Sequence, residues 1–202
     1  MLRVRTLGLA LVAVFAFSAV AVSSASAIEW QLGKAKIEKA KASTAETVEE
    51  LTLRDVKEKS AIKCKGSSTG KVGPGVADTI ETAKATGCTV IEGPCEAGTA
   101  TAVAVNLPWT TTYVLNGTEK RDNITTTGSN PGYKVECRVF GIFKVQDECT
   151  GNTSVKLTNQ LTGVLGTFEK TPKGTCTRGG AGQGEVIGTV INKVAGGVLE
   201  AN

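Results

Sequence analysis

From Leu51 onward, apolar and polar residues alternate over short runs, and each run is cut off by Gly, Asn or a charged turn. Alternation of this kind places one apolar row on each strand, and only an antiparallel sheet with one covered face accommodates it. Leu51-Thr52-Leu53 and Ile62-Lys63-Cys64-Lys65 flank the polar turn Lys57-Glu58-Lys59 as a hairpin. Further strands are expected at Ala102–Leu107, at Thr111–Leu115 before the turn pair Asn116-Gly117, at Val135–Val139 and at Phe143–Val145. Val155–Leu157, Val164–Phe168, Glu185–Ile191 and Gly197–Leu199 complete the set. No helical periodicity alternates with them, which excludes a βαβ architecture. The fold class expected is all-β, a single antiparallel β-sandwich or barrel behind an N-terminal signal peptide.

The first residues give that leader. Arg3 and Arg5 precede an apolar run from Leu7 to Val22, and Ala25-Ser26-Ala27 follows as a small-residue processing site. The run is short of the roughly 20 residues that span a bilayer. Cleavage after Ala27 leaves 175 of the 202 residues and lowers the net charge from +4 to +2, because Arg3 and Arg5 go with the leader. Three segments result: a signal peptide (1–27), an N-terminal arm (28–50) and a disulfide-bonded β domain (51–202). The arm contains the helix formers Lys34–Ala42 but only Trp30, Leu32, Ile37 and Val48 as large apolar residues, so helix, exposed arm and an opening strand at Glu29–Leu32 all remain open.

Cys64, Cys88, Cys95, Cys137, Cys149 and Cys176 all follow the leader, and in an exported chain six cysteines read as three disulfides. Six cysteines allow fifteen pairings. Cys88–Cys95 spans the short Gly93-Pro94 loop and is the pair expected first. A hairpin with Val139 opposite Phe143 and Cys137 opposite Val145 leaves Cys149 far along the strand. A Cys137–Cys149 bridge then needs a bend near Asp147-Glu148. Cys64–Cys176 completes the set, because Cys64–Gly73 and Cys176–Gly188 echo one another as strand, Cys, Gly-rich turn, strand.

The chain contains no His. That excludes hydrolases with an imidazole base and zinc sites that need imidazole. The glycines after Cys176 are followed by no Lys-Ser or Lys-Thr and open no helix, so they form no phosphate loop. No acidic run has calcium-loop spacing, and neither a metal nor a cofactor is expected. Leu107-Pro108-Trp109-Thr110-Thr111 departs from a wall-sorting motif at its fifth residue, and the sequons at Asn116, Asn123 and Asn152 read as surface loops. Carboxylate chemistry is what remains for an enzyme, with Asp122, Glu136, Asp147 and Glu148 as the available acids. Only seven aromatic residues follow the leader, few for a sugar cleft; Trp109 after Pro108 reads first as a strand-start aromatic packed on the core, with surface stacking on a ligand as the other role open to it and to Tyr133. So small a net charge gives no nucleic-acid footprint.

Asn106-Leu107-Pro108-Trp109, Arg121-Asp122, Asn130–Cys137, Asp147–Asn152 and Gly179-Gly180-Ala181-Gly182 together give the chain a family likeness. It resembles the multi-copy exported, β-rich, cysteine-containing proteins of high-G+C Gram-positive bacteria. The resemblance covers residues 28 to 202 and implies a secreted location, with no catalytic residue to carry over. The expected function is a non-catalytic extracellular or cell-envelope binding or structural module. Its expected partner is a cell-envelope or extracellular polymer, with no membrane association after leader cleavage. The alternative is a secreted glycan hydrolase using a carboxylate pair.

Overall fold

The structure, a computed structural model, describes residues 28–169 and 174–202. The expected signal peptide lies outside the described residues. Every regular element described is a strand: β1 (Trp30–Leu32), β2 (Ala35–Lys36), β3 (Lys41–Thr47), β4 (Leu51–Asp55), β5 (Ser60–Val72), β6 (Ala77–Glu92), β7 (Thr101–Val105) and β8 (Trp109–Asn116). They continue with β9 (Glu119–Thr125), β10 (Gly132–Val139), β11 (Phe143–Thr150), β12 (Thr153–Gln160), β13 (Gly163–Phe168), β14 (Gly174–Cys176), β15 (Gly180–Val194) and β16 (Leu199–Ala201). The all-β, antiparallel expectation is met.

Three strands are far longer than the others and organise the molecule. β5, β6 and β15 each divide their edges between two sets of neighbours. The Val72 end of β5 and the Asp78 end of β6 belong to a circuit that runs β5–β6–β8–β9–β12–β13–β15–β3 and back to β5. The opposite ends of the same strands belong to a second circuit, β5–β6–β7–β10–β11–β14–β15–β4 and back to β5. Its loosest join is β6 to β7, a single pair, Lys84 with Val103. A small sheet of β16, β1 and β2 lies at one end of the first circuit.

The stretch 28–50 is built into these sheets. Trp30 is 2% exposed, and β3 pairs with β5 on one edge and β15 on the other. Helix propensity in Lys34–Ala42 is overridden because its few apolar side chains, Trp30 and Ile37, gain more from burial than the backbone does from helix.

Two buried clusters result. Trp30, Ile37, Val72, Tyr113, Leu157, Val164, Val194 and Leu199 fill the first circuit with its small sheet. Leu53, Ile62, Cys64, Ala102, Cys137 and Val139 fill the second. The inward row of β5 explains the division: Ile62 and Cys64 at one end and Val72 at the other, with Gly66, Ser68 and Gly70 between. Gly70 allows no side chain, because a Cβ there would lie 1.8 Å from the Thr79 carbonyl oxygen. The expected Gly-rich turn after Cys64 is therefore a continuous strand, whose glycines let β6 close against it.

Three disulfides are present, but not the expected pairs: Cys64–Cys88, Cys95–Cys137 and Cys149–Cys176. Cys88 lies inside β6, not at a loop, and β6 runs antiparallel to β5 with Cys64 beside it. Cys176 sits on the short β14 directly opposite Cys149. The β10–β11 hairpin has the expected register, Val139 with Phe143 and Cys137 with Val145. The Cys137 side chain instead meets Cys95, which lies outside the strands between β6 and β7. The bridges close loops of 24, 42 and 27 residues, which in the chain-entropy account stabilise by roughly 3 to 4 kcal/mol each. Such bridges suit an oxidising compartment. No helix among the described residues is long and apolar enough to cross a membrane.

Candidate functional site

Between the two clusters lies a cavity of about 250 Å³. Its middle is walled by small side chains that the register brings side by side, Ala45 on β3, Ser68 on β5 and Ala83 on β6. Trp30 and Leu199 of the small sheet line one end, and Tyr133 and Cys149 line it from the second circuit.

At the Trp30 end the wall carries acid. Asp78 on β6 is opposite Thr111 on β8, and Thr111 is opposite Ile124 on β9. Asp122, two residues before Ile124, is opposite Tyr113. The two-residue period turns all of these inward. Asp78 Oδ1, Asp122 Oδ1, Thr111 Oγ1 and Trp30 Nε1 are all buried without a hydrogen-bond partner. Thr111 and Trp30 are each 2% exposed, whereas the two aspartates keep some accessible surface and line the cavity. Burial, reinforced by the negative charge of Asp122, pushes the Asp78 carboxyl up to about 9. Burial likewise pushes Asp122 up to about 6, although the Thr111 hydroxyl and the Thr112 amide draw it back. Thr111 thus lies close enough to influence Asp122 while its hydroxyl falls short of a well-formed hydrogen bond. Tyr113, stacked obliquely on Trp30 with centroids 5.3 Å apart, donates its hydroxyl to the Asn202 carbonyl.

The residues expected from sequence are dispersed. Glu136 holds Lys144 at 2.7 Å and Lys134 at 3.4 Å in a surface network, and Lys144 keeps its carboxyl below the usual range. Glu148 follows Asp147 on β11 and so points to the opposite face of the strand. Asp147 faces Asp55, and each caps a turn: Asp147 accepts from the Thr177 hydroxyl and the Arg178 amide, Asp55 from the Lys57 and Glu58 amides. Burial and the Asp147 carboxylate raise Asp55. Asp55 and Asp147 lie beside Cys149 and Cys176, but those sulfurs are bonded to each other and offer no thiolate to a metal. No two of the four expected acids face one another. Asp122 alone lines the large cavity, and its partner there is Asp78.

Trp109 and Tyr133, expected as stacking residues, both line the cavity. Trp109 is half-buried and donates its indole N–H to the Val105 carbonyl. The Tyr133 hydroxyl lies within 2.9 Å of the Arg54 carbonyl and 3.1 Å of the Glu185 carbonyl, linking β10 to β4 and β15 across the interior. Burial raises its pKa.

Sequence reasoning missed Asp78, Thr111 and Trp30 as site residues. An isolated acid between Val76-Ala77 and Thr79-Ile80 was the available signal, since a strand with an inward Asp is unusual. Comparison with known proteins supplies no counterpart: no family model, no curated protein and no solved structure matches the chain.

Proposed function

We propose that the protein is a non-catalytic, exported binding module, that each strand circuit is a closed barrel, and that the space between their cores takes a small ligand. The observation that carries this is the cavity together with the four unpartnered polar atoms at one end of it. Closed antiparallel barrels hold small ligands in this way when their interior side chains are too small to fill them. An occupant would cover apolar side chains that line the space. Scaling from benzene in a cavity of about 150 Å³, the space suits a body of about ten non-hydrogen atoms.

A polymer of the cell envelope, the partner expected from the sequence, would be held through such a unit of its structure or on the outer surface. The test is thermal unfolding of the chain from residue 28 onward against a panel of small amphiphiles, with a pull-down on cell-wall and glycan polymers alongside. At a hundred times its Kd a bound ligand adds about 2.7 kcal/mol, a rise of roughly 5 to 10 °C for a chain of this size. No rise with any amphiphile, together with saturable capture by a polymer, would move the binding site to the surface. Cleavage of a glycan that is lost in Asp122→Asn would replace binding by the hydrolase alternative, with Asp78 and Asp122 as the acid and base.

A further inference from the structure

We infer that the ligand is a small organic monocation, an amine on an apolar body, whose ammonium lies among Asp78, Asp122 and Thr111. This rests on the binding function proposed above and adds the ligand's class to it. An ammonium offers three N–H donors. Three of the unpartnered atoms at the Trp30 end, Asp78 Oδ1, Asp122 Oδ1 and Thr111 Oγ1, accept hydrogen bonds, and they come from three consecutive strands of one wall. Thr111, 2% exposed, makes no well-formed hydrogen bond through its hydroxyl, although it lies beside Asp122.

Charge points the same way. Burial, with repulsion from Asp122 as the smaller cause at Asp78, leaves the pair with one negative charge around neutrality. One monovalent cation neutralises that charge, whereas an anion would be repelled. Two neighbouring cations are engaged by other groups: Lys120 donates to the Ala201 carbonyl at 2.6 Å, and Arg121, which also lines the cavity, pairs with Glu119 and Glu169. A divalent metal fits poorly, since three oxygen atoms fall well short of the six to eight that calcium takes. Trp30, which lines the same end of the cavity, adds aromatic surface there, which favours an organic cation over a hydrated inorganic one. Trp30 Nε1, an unpartnered donor at this end, leaves a place for an acceptor on the ligand body.

The test compares three probes of one shape and different charge, 2-phenylethylamine, 2-phenylethanol and phenylacetate, by titration calorimetry at pH 7.5 with calcium and sodium as controls. The expected result is binding of the amine at least tenfold tighter than the alcohol, with no detectable binding of the carboxylate. Asp122→Asn, which removes the group ionised at this pH, should bring the amine to within about threefold of the alcohol in the same variant, whereas Asp78→Asn, which leaves the charge on Asp122, should keep most of the preference. Glu136→Gln, in the surface network, should keep the full preference. Equal or tighter binding of the alcohol or the carboxylate overturns the amine assignment and leaves the binding function standing. A failure of all three probes overturns the assignment as well, and the amphiphile panel then decides whether the wider binding function falls with it. Variant folding is checked by circular dichroism, and a variant that fails to fold is replaced by Thr111→Val, which should cost the amine about fivefold and the alcohol little.

Discussion

Asp78 and Asp122 carry the largest electrostatic cost among the described residues, and its sign can be worked out. Both carboxyls titrate above their ordinary value of 3.8, at about 9 and about 6, so the folded state holds protons that the unfolded state gives up. Their contribution is fully present below pH 4 and is lost as pH rises through 6 and then 9. Glu119 and Glu136, held low by Lys156 and Lys144, work in the opposite direction only near and below pH 4.5. Thermal melts should therefore give the highest Tm near pH 5 and a decline of several degrees by pH 9. Asp78→Asn should remove most of the decline above pH 7; an unchanged slope in that variant would show that the charge cost lies elsewhere. Gly70 makes a second prediction at this scale. With the Thr79 carbonyl 1.8 Å from any Cβ, Gly70→Ala should destabilise by about 3 kcal/mol or more in urea titrations.

At the scale of elements, what could be read in the sequence depended on which face a strand hides. The β10–β11 register was legible because Val135, Cys137 and Val139 alternate with charged residues. β6 was not, because Ala77–Glu92 turns Ala83 and Ala85 inward where other strands turn Val or Leu, and small residues give no period against Thr and Lys. That single omission hid two things. It left Cys88 assigned to a loop, which led to the Cys88–Cys95 pairing, and it left Asp78 outside any strand on which a site could be placed. β3 and β9 were obscured similarly, by Lys41–Thr47 and Glu119–Thr125, in which apolar residues are rare. Peptide mapping of unreduced protein should recover Cys64–Cys88, Cys95–Cys137 and Cys149–Cys176, and a Cys88–Cys95 peptide would contradict the β6 assignment. Replacing Cys149 and Cys176 together by Ser should cost roughly 3 kcal/mol.

At the scale of the whole molecule, the two circuits cannot come apart, because β5, β6 and β15 run through both. One cooperative unfolding transition is expected, with tryptophan fluorescence and far-ultraviolet circular dichroism coinciding. The same sharing explains the cavity. Long strands carry large residues into each core and small ones past the junction, so the space follows from the architecture and from Ala45, Ser68 and Ala83 together. The all-β class and the strand-rich texture could be read from the chain; the space could not, because it depends on which strands become neighbours. The most direct test is to fill it. Ala83→Leu places a branched side chain in the cavity wall, and thermal shift with the tightest amphiphile should be measured on the variant and the parent chain in parallel. The ligand is expected to raise the parent's Tm by several degrees and the variant's by less than one, while the unliganded variant is at least as stable as the parent. Equal ligand-induced shifts in both proteins would contradict an interior binding site.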